Sequence, residues 1–402
     1  MTAPTTTTVA SAPLSSVFNL HEFEVIASKA LPEKVYAYYA CSADDEVSYR
    51  QNHHSWARVF FRPKVLVDVS EIDLRTQMLG QQCRLPFYVS ATALCGLGNP
   101  AGAECSIARA CAQPQWRVPQ MVSTFSSDPL AKIAAAVETP QLLWFQLYVG
   151  GDRTATAELV AQARALGLSA LFVTVDAAQP GNRERDLRFK FSNADTSKGP
   201  SVMAAGQTAQ GTSGALSKLI DPALSWDDIR ALVRDSGLPV ILKGVQRVDD
   251  ALRAAELGCR GVVLSNHGGR QLDFSVPPVE VLADLVPELR KRGITKEQFD
   301  VFVDGGIRRG TDVLKALCLG ASGVGIASPF LYANSLYGQE GVEHAFDLLV
   351  KELVLSMRLL GVTRIEDLNE DLLDLRGLYD RGMPPRGPFH HHDTTFETNA
   401  RY

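Results

Sequence analysis

Eight short β-branched or aromatic runs, each followed by a stretch of helical character, constrain this chain more than any other feature. They read LPFYVSA, VPQMVST, LLWFQLYV, ALFVTVD, PVILKGV, GVVLSNH, DVFVDGG and GVGIAS. The stretches between them, among them DRTATAELVAQARALG, DDALRAAELG and RGTDVLKALCLG, space apolar residues by three and four and often close on glycine. Strands that are nearly continuous in hydrophobicity and alternate with helices indicate a parallel sheet covered on its outer face. Eight such repeats predict an α/β fold, a closed (β/α)8 TIM barrel, with a doubly wound sheet as the alternative.

In a barrel of this kind the active site lies at the C-terminal ends of the strands. Polar residues gather at those ends here: Ser123 and Thr124, Gln146 and Tyr148, Thr174 and Asp176, Lys243, His267 and Arg270, and Asp304. One polar strand end is ordinarily structural, whereas six of them together favour a ligand site. The sharpest case is SNHGGRQLDF, residues 265–274, in which only Gly268 and Gly269 separate His267 from Arg270. Both side chains are costly to bury without a partner or a ligand.

The 402 residues suffice for one large barrel domain. A net charge of −5 with no dense basic run argues against nucleic acid or an anionic membrane surface as partner. No segment reaches the ~20 apolar residues of a membrane-spanning helix. The seven cysteines show neither CxxC nor zinc spacing, so buried reduced thiols and no metal are expected, in a soluble, intracellular and first of all cytoplasmic protein. Residues 1–17, rich in Thr, Ser, Ala and Pro, are expected to be a disordered leader, and residues 376–402 a mobile tail. Between them, residues 18–63 should form small helices that bring Tyr38 across the barrel mouth.

Taken together, SNHGGRQLDF, DGGIRRGTDVLKALCLGA, WFQLYV, FVTVDA and VYAYYACSADDE resemble the FMN-dependent L-2-hydroxy acid oxidase and dehydrogenase family over residues 18–375. SATALCGLGNP, PQMVST, ALSKLIDPALSW, KGVQR and PFLYANS look closest to the flavin domain of the family's cytochrome-linked L-lactate dehydrogenases, without their heme-binding domain. The resemblance implies FMN as cofactor, a lactate-like L-2-hydroxy acid as substrate, a 2-keto acid as product and a homotetramer. Reoxidation is expected by dioxygen, slightly preferred, or by a separate redox acceptor, a possibility that the resemblance to cytochrome-linked enzymes makes serious.

The same resemblance assigns roles. His267 matches the base, Asp176 the carboxylate that orients it, and Tyr148 the tyrosine near the reacting hydroxyl. Arg270, Arg183 and Tyr38 match the groups that bind the substrate carboxylate, and Phe125 the residue against the substrate's side chain, where a phenylalanine should favour lactate over mandelate. Thr92, Ala93, Ser123, Gln146, Thr174 and Ser265 match flavin contacts, with Lys243 at the N1 and O2 edge. Asp304, Gly305, Gly306 and Arg308 match the ribityl and phosphate ligands.

At the end of strand eight the pattern departs from the family. Ala327 and Ser328 stand where a Gly-Arg pair is usual, which predicts a weaker hold on the phosphate, unless Ser328 donates or Arg309 turns inward. Residues 178–225 are too long for an ordinary connection and suggest a lid over the substrate. The departure also raises the alternative of a cofactor-depleted barrel acting as a binding protein. A mandelate-type dehydrogenase and a phosphate-sugar isomerase on the same fold are the other rivals, the latter unable to account for HGGR.

Overall fold

A computed structural model describes residues 12–137, 141–192, 208–217 and 219–382. Eight parallel strands close into a barrel. They are β1 (Phe87–Val89), β2 (Gln120–Ser123), β3 (Leu143–Leu147), β4 (Leu171–Thr174), β5 (Val240–Val245), β6 (Gly261–Leu264), β7 (Asp300–Val303) and β8 (Gly323–Ile326). Each of the eight apolar runs supplies one strand, and β8 pairs with β1 to complete the ring.

Side chains on a strand alternate between its two faces, and this alternation builds the site. Tyr88, Met121, Trp144, Phe172, Ile241, Val263 and Phe302 form one buried cluster inside the barrel. Two residues further along the same strands stand Ser90, Ser123, Gln146, Thr174, Lys243, Ser265 and Asp304. The interior therefore changes from an aromatic floor to a polar layer within one step of the pleat. A hairpin pairing Thr76–Met78 with Gln81–Cys83 closes the opposite end, with Met78 and Cys83 packed into the interior cluster. Only the C-terminal ends of the strands remain open for a ligand.

The outward-facing apolar residues, Val89, Phe145, Val173, Leu242, Leu264 and Val303 among them, belong to a larger core shared with the surrounding helices. Three further helices, α1 (Leu20–Ala30), α2 (Glu33–Ala40) and α3 (Val47–Ala57), precede the barrel and carry Tyr38 to its open end. Asn19 caps α1 by accepting from the backbone N–H groups of His21 and Glu22. Among the described residues no helix is long and apolar enough to cross a membrane. All seven cysteines are buried and unpaired.

Packing at both ends reaches residues outside 18–375. Ordered packing begins before residue 18: Val17 is buried, the Tyr337 hydroxyl donates to the Ala12 carbonyl, and the His344 ring bonds the Val17 carbonyl. Apolar Leu14 and Val17 find partners on a helix that a local composition reading does not consider. At the other end Leu378 is fully buried and Arg381 pairs with buried Glu280, so the body extends past residue 375. Residues 1–11 of the expected leader and 383–402 of the expected tail lie outside the described residues.

The long excursion after β4 contains a helical turn at Glu184–Leu187, a ribbon pairing Lys190–Ser192 with Thr208–Gln210, and a helix at Thr212–Ser217. Ser213 and Leu216 of that helix reach the cavity wall. The middle of the expected lid, residues 193–207, lies outside the described residues.

Candidate active site

The turn after β6 fixes His267 in an uncommon conformation. Its φ is +59°, a left-handed value that costs a residue with a Cβ about 1–3 kcal/mol and persists only where surroundings enforce it. Ser265 Oγ accepts from the His267 backbone N–H (3.0 Å), and the Asn266 side chain accepts from the Gly269 N–H (3.1 Å). Asn266 in turn exchanges two 2.7 Å hydrogen bonds with Asn52 of α3. Gly269 is required by close approach, since a Cβ there would lie 2.6 Å from the Tyr49 backbone nitrogen.

The imidazole held in this way is bounded on both sides. Nδ1 lies 3.0 Å from Asp176 Oδ1, and Nε2 lies 3.4 Å from the Tyr148 hydroxyl. An ionised carboxylate only accepts, so the ring proton resides on Nδ1 and Nε2 is left as a base. Burial pulls the His267 pKa below its ordinary 6.5, reinforced by Lys243 and Arg183 and opposed by Asp176. For Asp176, burial alone would raise the pKa, but the His267 ring and Lys243 outweigh it and hold the carboxyl below its usual range. The resting pair is neutral imidazole beside carboxylate.

Two guanidinium groups face the same space. Arg270 donates to the carbonyls of Tyr38 (3.0 Å), Tyr39 (3.1 Å) and Cys41 (2.8 Å) and lies over the Tyr38 ring. Arg183 donates to the Arg270 carbonyl (2.8 Å), Ser213 Oγ (2.9 Å) and Gln271 Oε1 (2.7 Å). Every one of these acceptors is neutral. Burial and the neighbouring Arg270 charge both press the Arg183 pKa below its ordinary value. Among the described residues no carboxylate hydrogen-bonds either guanidinium. Burial opposes the Arg270 charge, but neighbouring groups and, only from a distance, Asp186 raise its pKa. The Arg183 cation is therefore the one left strained, and an anionic ligand would relieve it. Phe125 lines the same cavity, stacked on Tyr148.

The polar layer inside the barrel continues the cavity. Gln146 accepts from Ser123 Oγ and donates to Thr174 Oγ1 (2.9 Å), which fixes its amide. Buried Lys243 has Asp304 Oδ2 at 3.8 Å, too long for a hydrogen bond, and Asp304 Oδ1 has no partner. Thr92 and Ala93 form the adjoining wall. At the far end Gly305, Gly306, Arg308, Ala327 and Ser328 line the cavity, where the helical stretch Ser328–Leu360, kinked at Gly338, starts without a side-chain cap.

Arg308 there bonds Glu24 (3.2 Å), while its Nε is buried without a partner. A buried ammonium lacking hydrogen bonds, an orphaned carboxylate oxygen and an uncapped helix start beside a buried guanidinium together suit a polar ring at one end and a phosphate at the other. The residues present therefore fit FMN.

Ser265 and Arg309 have protein partners of their own. Ser265 supports the His267 turn and is not in the cavity wall, because the ladder ends at Leu264 and the chain bends over it. Arg309 does not turn inward, since it is held by Glu352 at 2.7 Å. Conversely, Glu24, Ser213 and Gln271 contact the functional arginines and escaped sequence reasoning. Only the position of Gln271 directly after Arg270 offered any signal for them.

Comparison with known proteins agrees with this geometry. The family model for FMN-dependent dehydrogenases matches residues 27–375. An L-lactate dehydrogenase (cytochrome) of Saccharomyces cerevisiae is 54% identical over 92% of the chain, which spans only 63% of that protein's length. An L-lactate oxidase of Nostoc is 38% identical, over 90% of this chain and 99% of its own. Among solved structures, a double mutant of flavocytochrome b2 with pyruvate bound superposes with a TM-score of 0.84 at 51% identity, covering 94% of this chain and 91% of that one.

Proposed function

The chain belongs to the FMN-dependent dehydrogenase family, and from that premise we propose that it oxidises a small, lactate-like L-2-hydroxy acid to the 2-keto acid. The observation that carries this reading is the pair of guanidinium groups, hydrogen-bonded only to neutral acceptors, beside an Asp176–His267 base. A carboxylate satisfies the arginines, and the adjacent hydroxyl then meets the base. Sugar phosphates would place charge elsewhere.

In this reading Arg270 and Arg183 bind the substrate carboxylate, and Tyr38, directly against Arg270, adds its hydroxyl. Tyr148 hydrogen-bonds the reacting hydroxyl and His267 Nε2 receives its proton, while Asp176 stabilises the imidazolium that results. Bound FMN supplies the acceptor for the two electrons that leave C2. Ser123, Gln146, Thr174, Lys243 and Asp304 would hold its ring and ribityl portions, and Arg308, Gly306 and the start of the helix at Ser328 its phosphate. The polar atoms left without partners by the protein argue against a scaffold that has discarded its cofactor.

Higher identity to the cytochrome-named relative (54%) than to the oxidase (38%) supports a separate redox protein over dioxygen as the acceptor. Exposed Val65, Leu66 and Leu359, gathered where the Lys64 N–H bonds the Leu360 carbonyl, support a homo-oligomer, with a tetramer as the family expectation. The deciding experiment is a visible spectrum of the purified protein. A flavin band near 450 nm that bleaches anaerobically with L-lactate but not D-lactate is expected, and a bound flavin inert to every short L-2-hydroxy acid would overturn the reading.

A further inference from the structure

Gln271 uses the full hydrogen-bonding capacity of a primary amide. Nε2 donates to the carbonyls of Asp176 (2.9 Å) and Gln179 (3.0 Å), and Oε1 accepts from Arg183 Nη2 (2.7 Å) and the Gly181 N–H (3.3 Å). It is buried. Two carbonyls on one side accept only N–H groups, so the amide has one orientation, with its oxygen toward Arg183. Gly181 permits the approach, as a Cβ there would lie 2.4 Å from the carbonyls of Arg270 and Gln271.

We propose that Gln271 is the positioning residue that aims Arg183 at the substrate carboxylate while leaving its charge unneutralised. Arg183 comes from the excursion after β4, and its other two acceptors are the Arg270 carbonyl and Ser213 Oγ. The first of these is backbone, and the second belongs to a helix of the same excursion. Gln271 is thus the side chain that ties the Arg183 guanidinium to the turn carrying His267 and Arg270. Its neutrality matters as much as its reach. A carboxylate at the same distance would pair with Arg183 and compete with the substrate, and it would also face two carbonyl oxygens as an acceptor among acceptors.

The proposal rests on the 2-hydroxy acid reading for the identity of the ligand, so its test reads binding separately from turnover. FMN-loaded wild type, Gln271→Glu, Gln271→Met, Arg183→Met and the Gln271→Met/Arg183→Met double variant are compared. Pyruvate affinity is measured by perturbation of the flavin absorbance, and KM and kcat with L-lactate.

Gln271→Met should weaken pyruvate about tenfold and Gln271→Glu by up to about a hundredfold, the range set by a hydrogen bond to a charged group. KM should rise in parallel, with kcat changed less than about threefold and FMN content unaltered. In the Arg183→Met background, Gln271→Met should add less than about twofold, since residues acting through one contact are not additive.

An equal loss in both backgrounds, unchanged pyruvate affinity in Gln271→Glu, or no pyruvate binding by the wild type would overturn the proposal. The isosteric Gln271→Glu decides if Gln271→Met does not fold. Wild type that binds pyruvate yet leaves L-lactate untouched would sink the lactate reading alone, because the role of Gln271 is judged on binding.

Discussion

The rings of Phe125 and Tyr148 lie stacked, with centroids 4.8 Å apart and planes inclined by 17°. Phe125 is 2% exposed and borders the cavity, so one side chain both limits the space for the substrate's substituent and braces the tyrosine nearest His267 Nε2. The stack is worth about 0.5–1.5 kcal/mol beyond burial.

Truncation of this ring should therefore have two effects. Phe125→Ala is expected to shift the ratio of kcat/KM from L-lactate toward mandelate by at least about tenfold, because space for a methyl becomes space for an aryl ring. It should also lower kcat with L-lactate, since Tyr148 loses its support, while Phe125→Leu loses the stack and gives up only part of the volume. A wild type that already prefers mandelate, or a ratio unmoved by truncation, would remove Phe125 from the role of gate.

His267 is the test of the chemical step. Its contacts with Asp176 and Tyr148 leave it the neutral base in the cavity. His267→Gln should retain FMN and lose at least the 10²–10⁴-fold typical of removing a general base. Anaerobic stopped-flow mixing with L-lactate measures it, and flavin bleaching at nearly the wild-type rate would exclude His267.

Much of this arrangement was legible in the chain because period-two alternation is a local property. Trp144 and Gln146, Phe172 and Thr174, Ile241 and Lys243, and Phe302 and Asp304 each set an apolar floor residue two positions before a polar ligand-facing one. Residues that act across the fold were not legible. Glu24 meets Arg308 from 284 positions away, and Gln271 reaches Arg183 over 88, so neither periodicity nor local motif marks them. Ser265 keeps the inward alternation, and its hydroxyl also accepts from the His267 N–H of the turn, a second role that alternation alone does not show.

The pH dependence follows from the buried imidazole. Its pKa is lowered from 6.5, principally by burial, and the reaction needs the neutral ring, so activity holds through neutral pH and falls only as the medium becomes acid enough to protonate it. The acid limb of kcat/KM should accordingly have its midpoint below 6.5. Asp176 opposes the shift by stabilising imidazolium. Asp176→Asn should then move the limb to still lower pH while reducing the rate throughout. A limb that moves upward in that variant would show that another group controls it.

The end of β8, where Ala327 and Ser328 stand in place of the Gly-Arg pair that the resemblance leads one to expect, is where a substitution should strengthen binding. Arg308 is the guanidinium lining that end of the cavity, and Glu24 already bonds it and offsets part of its charge. The helix beginning at Ser328 has no side-chain cap, and with Pro329 lacking an N–H the neutral donors available to an anion are the Ser328 and Phe330 N–H groups and the Ser328 hydroxyl. A neutral hydroxyl is worth about 0.5–1.5 kcal/mol to such a ligand and an arginine about 1.5–3 kcal/mol. Ser328→Arg combined with Ala327→Gly should therefore tighten FMN by about five- to fiftyfold in a flavin fluorescence titration, with a smaller gain for riboflavin, which lacks the phosphate. Ser328→Ala should loosen FMN by less than about tenfold. The contrast between the two flavins is decisive: a gain shared equally by riboflavin would mean that the new side chain only tightens the fold around the ring, and equal dissociation constants in wild type and double variant would mean that Arg308 and the helix start already satisfy the phosphate.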